Sequence, residues 1–121
     1  MFQRHFKFEL ISSEGKLHDG RVVRAIQVLQ SDPGLNLRDL APMFQLSPSR
    51  LRHLFKIQMG MSVTAYAREV RLHRACELLE TTHLTVKQIR NEIGISDASN
   101  FVYRFKQLFG ISPSAYRKKY A

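Results

Sequence analysis

The chain contains a second copy of part of itself. Displacing the 121-residue sequence by 50 positions sets residues 51–66 against residues 101–116. Phe55 meets Phe105, Lys56 meets Lys106, Gly60 meets Gly110, Ser62 meets Ser112, Ala65 meets Ala115 and Tyr66 meets Tyr116, six identities in sixteen positions. Leu51/Phe101, Met59/Phe109 and Met61/Ile111 keep their apolar character. Upstream the displacement becomes 49: Leu37/Val86, Leu40/Ile89, Phe44/Ile93 and Leu46/Ile95 stay apolar, Ser47 matches Ser96, and Arg38 meets Lys87. The second copy therefore holds one extra residue at the start of its later helix. A repeat of this kind calls for two copies of one supersecondary unit.

The hydrophobic period says what that unit is. From residue 20 onward the pattern is helical. Val22, Val23, Ile26 and Leu29 recur at spacings of three and four, and Asp32-Pro33-Gly34 stops that helix. A short helix follows Asn36, with Leu37, Leu40 and Ala41 inward. Pro42 lies inside this helix, where it removes a hydrogen bond and favours a kink. Gln45-Leu46-Ser47 reads as a tight turn. Ser47-Pro48 opens a third helix that turns Leu51, Leu54, Phe55 and Gln58 inward and ends at Gly60. Ser62 caps a long helix, roughly 63–80, burying Tyr66, Val70, Leu72, Ala75, Leu78 and Leu79. Thr85 caps another short helix with Val86, Ile89 and Ile93 inward, and Gly94-Ile95-Ser96 forms its turn. Ser96 or Asp97 starts a helix carrying Phe101, Phe105 and Leu108, which ends at Gly110. Ser112-Pro113 opens the last helix. The fold class is all-α: each copy is a short helix, a tight turn and a second helix, which is a helix-turn-helix. Residues 1–18 stand apart as an N-terminal extension, extended or disordered, in which Phe2, Phe6, Phe8 and Leu10 alternate with polar neighbours. Residues 19–80 form the first subdomain with the long helix, and 81–121 form the second.

Charge then narrows the partner. Nineteen Lys and Arg against ten Asp and Glu give a formal charge of +9, which points to a polyanion, nucleic acid first and an anionic membrane second. Cys76 is the single cysteine, so no internal disulfide forms. No apolar run approaches the roughly 18 residues that span a bilayer, and the charged N-terminus lacks the apolar stretch of a secretory signal. The expected setting is the cytoplasm. Five scattered histidines and one cysteine offer no metal-ligand spacing, and no phosphate loop or nucleophile elbow occurs. No cofactor, no metal and no catalytic residue is expected, and the chain is not read as an enzyme. His73 reads as a locally satisfied or partly exposed histidine and Cys76 as a small buried apolar residue. Arg117-Lys118-Lys119 reads as a solvated helix end that suits the helix dipole.

A helix-turn-helix offers its second helix to the major groove. With Leu51 and Phe55 inward and 100° per residue, the opposite face of the first such helix carries Ser49, Arg52, His53 and Lys56. No acidic residue lies between Asp39 and Glu69, so phosphates meet no repulsion there. Arg52 suits bidentate contact with guanine; His53 and Ser49 can bond base edges or phosphate; Arg50 and Lys56 on the flanks suit phosphate. In the second copy the outward face is Ser99, Val102, Tyr103 and Lys106, poorer in donors and suited to weaker or more shape-dependent reading. Arg38 and Lys87 oppose the dipole in the first turn of their helices, which a phosphate partner would explain.

These residues also carry a family resemblance. From about Leu37 to Tyr120 the chain resembles the DNA-binding domain of the AraC/XylS family of bacterial transcription regulators. The telling pieces are Leu46-Ser47-Pro48 with Leu51 and Phe55-Lys56, Gly60-Met61-Ser62 with Tyr66, Arg71-Leu72 with Ala75 and Leu78-Leu79, and the run from Ile89 through Gly94-Ile95-Ser96-Asp97 to Ser112-Pro113-Ser114-Ala115-Tyr116-Arg117. The resemblance implies a homeodomain-like arrangement of seven helices, with two helix-turn-helix units joined by a long linker helix. It implies sequence-specific binding of double-stranded promoter DNA in two successive major grooves, ~34 Å apart, and activation through RNA polymerase. By position the base-reading residues are Ser49, Arg52, His53, Ala98, Ser99, Val102 and Tyr103. Arg38, Arg50, Lys56, Lys87, Arg104 and Lys106 are the expected phosphate contacts. Tyr103 stands where members often carry arginine, which here falls one place later at Arg104, and Ile95 replaces a customary phenylalanine. The chain reads as either a small stand-alone regulator or the C-terminal portion of a longer one, with the second favoured; this region is expected to be a monomer, with a dimer open to a longer protein. Two rival readings are a non-specific architectural nucleic-acid binder and a protein-interaction module.

Overall fold

The structure, a computed structural model, describes residues 19–121; the alternation read in residues 1–18 lies outside it. The described residues are helical, with no strand among them, and divide into two units, on either side of the Val70–Arg71 junction.

The first unit begins with α1 (Gly20–Ser31), capped by Asp19, whose carboxylate accepts from the Arg21 amide at 2.8 Å and from its guanidinium at 3.0 and 3.1 Å. Those hydrogen bonds hold the Asp19 carboxyl below the usual carboxylate range. The Asp19 N–H in turn donates to the Gln58 side-chain carbonyl, fastening the start of α1 to the end of α3 (Pro48–Met59). Between them α2 (Leu37–Leu40) opens with a capping box in which Asn36 and Asp39 satisfy each other's backbone amides. Pro42 does not kink α2. It ends it, and residues Ala41–Phe44 tighten into a 3-10 turn with proline in its first positions, where the missing N–H is not needed. Gln45 then takes a left-handed conformation (φ 60°), and Ser47 caps α3 through the Arg50 amide at 3.1 Å. The core is built by Val22, Ala25, Ile26 and Leu29 of α1, Leu40 and Ala41, Leu51 and Phe55 of α3, and Val63, Tyr66, Ala67 and Val70. Each fully buried Leu- or Phe-sized side chain is worth about 1.5–3 kcal/mol over its exposed state. Val23 and Leu37, expected inside, are half-buried.

The long helix α4 (Val63–Thr81) runs through the junction. Its second half begins the other unit, which continues with α5 (Val86–Ile93), α6 (Ala98–Phe109) and α7 (Pro113–Tyr120). Leu72, Ala75, Cys76, Leu79, Ile89, Ile93, Phe101, Phe105 and Tyr116 form its buried core. Thr85 and Gln88 repeat the capping box of α2. The cap of α6 is Asp97, accepting from Asn100 at 2.9 Å; Ser96 belongs to the turn and is the inserted residue. Leu108 is exposed and Phe109 takes the inward place, because the Phe109 ring packs on Phe105 and Tyr116 at 4.6 and 6.2 Å. Leu78 is only half-buried.

The repeat is longer than the sequence comparison traced. The buried residues of α1, Val22, Ala25, Ile26 and Leu29, lie 50 positions before Leu72, Ala75, Cys76 and Leu79, and Arg21/Arg71, Arg24/Arg74, Ala25/Ala75 and Leu29/Leu79 are identical. Gln30 donates to the Tyr66 hydroxyl at 3.1 Å, and fifty residues on, the Tyr116 hydroxyl donates to Glu80. The edge-on pair Phe55–Tyr66 at 5.9 Å recurs as Phe105–Tyr116 at 5.6 Å. The first half of α4 thus corresponds to α7 and its second half to α1. One helix serves as the end of one copy and the start of the next.

Candidate nucleic-acid interface

The outward side of α3 follows from what its inward side buries. Leu51 and Phe55 are fully buried, which leaves Ser49, Arg52, His53 and Lys56 exposed on the opposite face, with Arg50 beside them. With the cap Ser47 and with Ser62, these side chains line an open groove of about 710 Å³ that contains no carboxylate. The Arg52 guanidinium donates to Ser49 Oγ at 3.3 Å, one helical turn earlier, so the two groups are held side by side. Hydroxyls, an imidazole and fixed cations without an acid are the chemistry that accepts a phosphate backbone and bonds to base edges.

The equivalent face of α6 is built differently. Ala98, Ser99, Tyr103 and Lys106 are exposed, and Val102 is 37% exposed. The Gln107 amide donates to the Tyr103 hydroxyl at 2.9 Å, fixing the phenol along the helix. Arg104 lies at the margin of this face. It is half-buried, its Nε is buried without a hydrogen-bond partner, and its guanidinium carbon is 5.8 Å from the Tyr103 ring centre. Arg38 and Lys87 are exposed in the first turns of α2 and α5.

Other residues singled out by the sequence have structural places. Cys76 is fully buried, and burial pushes its thiol up to about 12. His73 is half-buried and packs edge-on against Phe109 at 5.1 Å. No cluster of His, Cys, Asp and Glu among the described residues has the arrangement of a metal site, and none of their helices is long and apolar enough to cross a membrane. Arg117 is not a solvated helix end. Its guanidinium donates to the carbonyls of Leu79, Leu84 and Thr82 at 3.1, 2.6 and 3.1 Å, closing the C-terminus of α4 and the turn after it. Arg90 does the same for its own turn, donating to Ile95 O at 3.3 Å and to Ser96 O. Sequence reasoning missed both. The signal was present in the displaced alignment, which sets Arg90 against Ala41 and Arg117 against Ala67.

Two copies of a capped helix, a tight turn and a second helix with an exposed polar face define the class: a protein with two helix-turn-helix units. A helix-turn-helix domain model matches residues 40–119. The chain is 35% identical over 102 residues to the arabinose operon regulatory protein of Escherichia coli (strain K12), covering 82% of this chain and 35% of that protein. It is 45% identical over 74 residues to the HTH-type transcriptional activator RhaR of Pectobacterium carotovorum subsp. carotovorum (strain PC1), covering 61% of this chain and 26% of that protein. The solved C-terminal domain of AraT, a response regulator from Geobacillus stearothermophilus, superposes with a TM-score of 0.72 at 30% identity, over 84% of this chain and 86% of that one. The chain belongs to the AraC/XylS family of helix-turn-helix transcription regulators. It spans 26–35% of the length of these two curated relatives.

Proposed function

We propose that this domain binds duplex DNA by laying α3 and α6 into major grooves and, within a regulator of transcription, acts chiefly as an activator. The observation that carries the reading is the outward face of α3: exposed Ser49, Arg52, His53 and Lys56 around a groove free of carboxylates. Arg52 reads a base, with guanine offering the two acceptors its fork requires. Ser49 and His53 bond to neighbouring base edges, and Arg50 and Lys56 hold phosphates. On α6, Ala98, Ser99, Val102 and Tyr103 line the groove with few donors, so Val102 meets a thymine methyl and the second half-site is read more through shape. Arg38, Lys87, Arg104 and Lys106 supply phosphate contacts. The relatives, an operon regulator and a transcriptional activator, support promoter DNA as the partner; the family resemblance adds RNA polymerase, in the cytoplasm, with this region acting as a monomer.

Selection of bound sequences from a random duplex pool tests the reading. The expected product is a bipartite motif with half-sites about one turn apart. Arg52→Ala costs about 1–3 kcal/mol on the selected duplex and relaxes preference at one position. Binding that falls steeply with salt but selects no motif marks an architectural binder instead, and no duplex binding at moderate salt marks a protein-interaction module.

A further inference from the structure

The turn that leads into α6 is one residue longer than the turn that leads into α3, and the added residue is where an arginine side chain takes hold. In the first unit the chain passes from the left-handed Gln45 through Leu46 to the cap Ser47. In the second it passes from the left-handed Gly94 through Ile95 and Ser96 to the cap Asp97. The backbone bonds are the same up to the divergence: Leu46 N–H donates to Ala41 O at 3.0 Å, and Ile95 N–H donates to Arg90 O at 3.1 Å. Beyond that point the inserted Ser96 puts an additional carbonyl into the turn. Arg90 Nη1 donates to that carbonyl and to the one before it. The aligned position in the first unit is Ala41, fully buried and without a side chain able to do this.

The geometry points to Arg90 as a positioning residue for DNA recognition: its guanidinium clamps the lengthened turn and so fixes the direction in which α6 leaves it. The inference rests on the DNA-binding reading above and deepens it. A helix with few direct donors, such as α6 with Ser99, Val102 and Tyr103, depends on its pose more than on any one contact. Arg90 also sits in the last turn of α5, where a cation suits the helix dipole. A purely dipolar or packing role would not depend on the length of the turn, whereas the clamp does.

That dependence supplies the test. The probe is the duplex selected by the parent chain, together with versions in which one or the other half-site is scrambled; the half recognised by α3 is the one whose scrambling abolishes the effect of Arg52→Ala. Arg90→Ala weakens binding to the intact duplex by roughly three- to tenfold, the loss of charge-assisted hydrogen bonds to backbone. It leaves the duplex with a scrambled α6 half-site bound as by the parent. Combining Arg90→Ala with deletion of Ser96 recreates the turn of the first unit, Gly94-Ile95-Asp97 in place of Gln45-Leu46-Ser47, and restores binding to the intact duplex. Equal binding of the intact duplex by Arg90→Ala and parent overturns the clamp. So does a double variant that melts like the parent yet binds no better than Arg90→Ala. If Arg90→Ala itself loses helical signal, the double variant decides alone, since recovery of fold and binding together requires the turn-length dependence. A parent chain that selects no bipartite motif removes the DNA reading and the clamp with it.

Discussion

The two units share a plan and secure it by different means. Where the first has the buried alanines Ala41 and Ala67, the second has Arg90 and Arg117 tying loop carbonyls. Where the first leads into α3 through Gln45 in a left-handed conformation, the second leads into α6 through glycine. The second also holds a connected run of rings, Phe101, Phe105, Phe109, Tyr116 and Tyr120, where the first has the edge-on pair Phe55–Tyr66. The outward faces divide the opposite way, because α3 carries the richer set of donors. One copy exposes arginine on its outward face and the other uses arginine to hold its own backbone, so a duplicated scaffold places the same kind of side chain in two different settings.

That contrast can be broken at several points. Phe55→Ala and Phe105→Ala each cost about 3–5 kcal/mol of stability. Phe105 lies at the upper end, since it contacts three other rings within 6 Å, and urea denaturation monitored by circular dichroism measures both. Equal values would mean that the ring cluster adds nothing beyond burial. Arg117→Ala costs about 1.5–3 kcal/mol, because charged hydrogen bonds to three partly enclosed carbonyls are lost; the same denaturation experiment reads it, and a loss within error would make the clamp ornamental.

The tyrosines sharpen the comparison through pH. Burial pushes the Tyr66 hydroxyl from 10.0 to about 12, and burial together with the Glu80 hydrogen bond raises Tyr116 further. Both folded pKa values exceed the unfolded one, so their contribution to stability is whole below pH 10 and disappears as pH rises through the folded values. Phenolate absorbance should therefore show Tyr66 and Tyr116 still protonated above pH 10 in the folded chain, with unfolding midpoints falling above pH 10. Ionisation of Tyr66 and Tyr116 near pH 10 in the folded chain would deny the burial. The smallest effect belongs to the turns: Gln45→Gly stabilises by roughly 0.5–1 kcal/mol and Gly94→Ala destabilises by about 1–2 kcal/mol, since only glycine takes positive φ without cost. Thermal melts resolve both.

Much of the fold is legible in the sequence because its punctuation is chemical. Ser47, Ser62, Thr85 and Ser112 accept from the amide three residues on, and Gly60 and Gly110 end their helices in left-handed conformations. The α3 face is equally legible, since Leu51 and Phe55 fix what must point away. The correspondence of α1 with the second half of α4 is not. The stripe Val63, Tyr66, Ala67 and Val70 is followed by Leu72, Ala75, Cys76 and Leu79, displaced by nine residues, which at about 100° per residue is half a revolution around α4. A single periodic pattern laid over the helix averages the two stripes and hides the seam. Arg90 and Arg117 escape for another reason. A cation near a helix end reads as solvated, and only the inserted Ser96 and the short turn after α4 create carbonyls in need of a donor.

The shared helix has a consequence for how the domain can be taken apart. Copies joined by an ordinary tether can be separated by a protease that captures an extended segment. From Val63 to Thr81 the backbone is engaged in helix throughout, so digestion between the copies must wait for several turns to unwind, and that unwinding strips each copy of one of its own walls. Trypsin has Arg68, Arg71 and Arg74 available as targets there. Resistance at those bonds, set against cutting elsewhere, reports directly on the integrity of the joined helix.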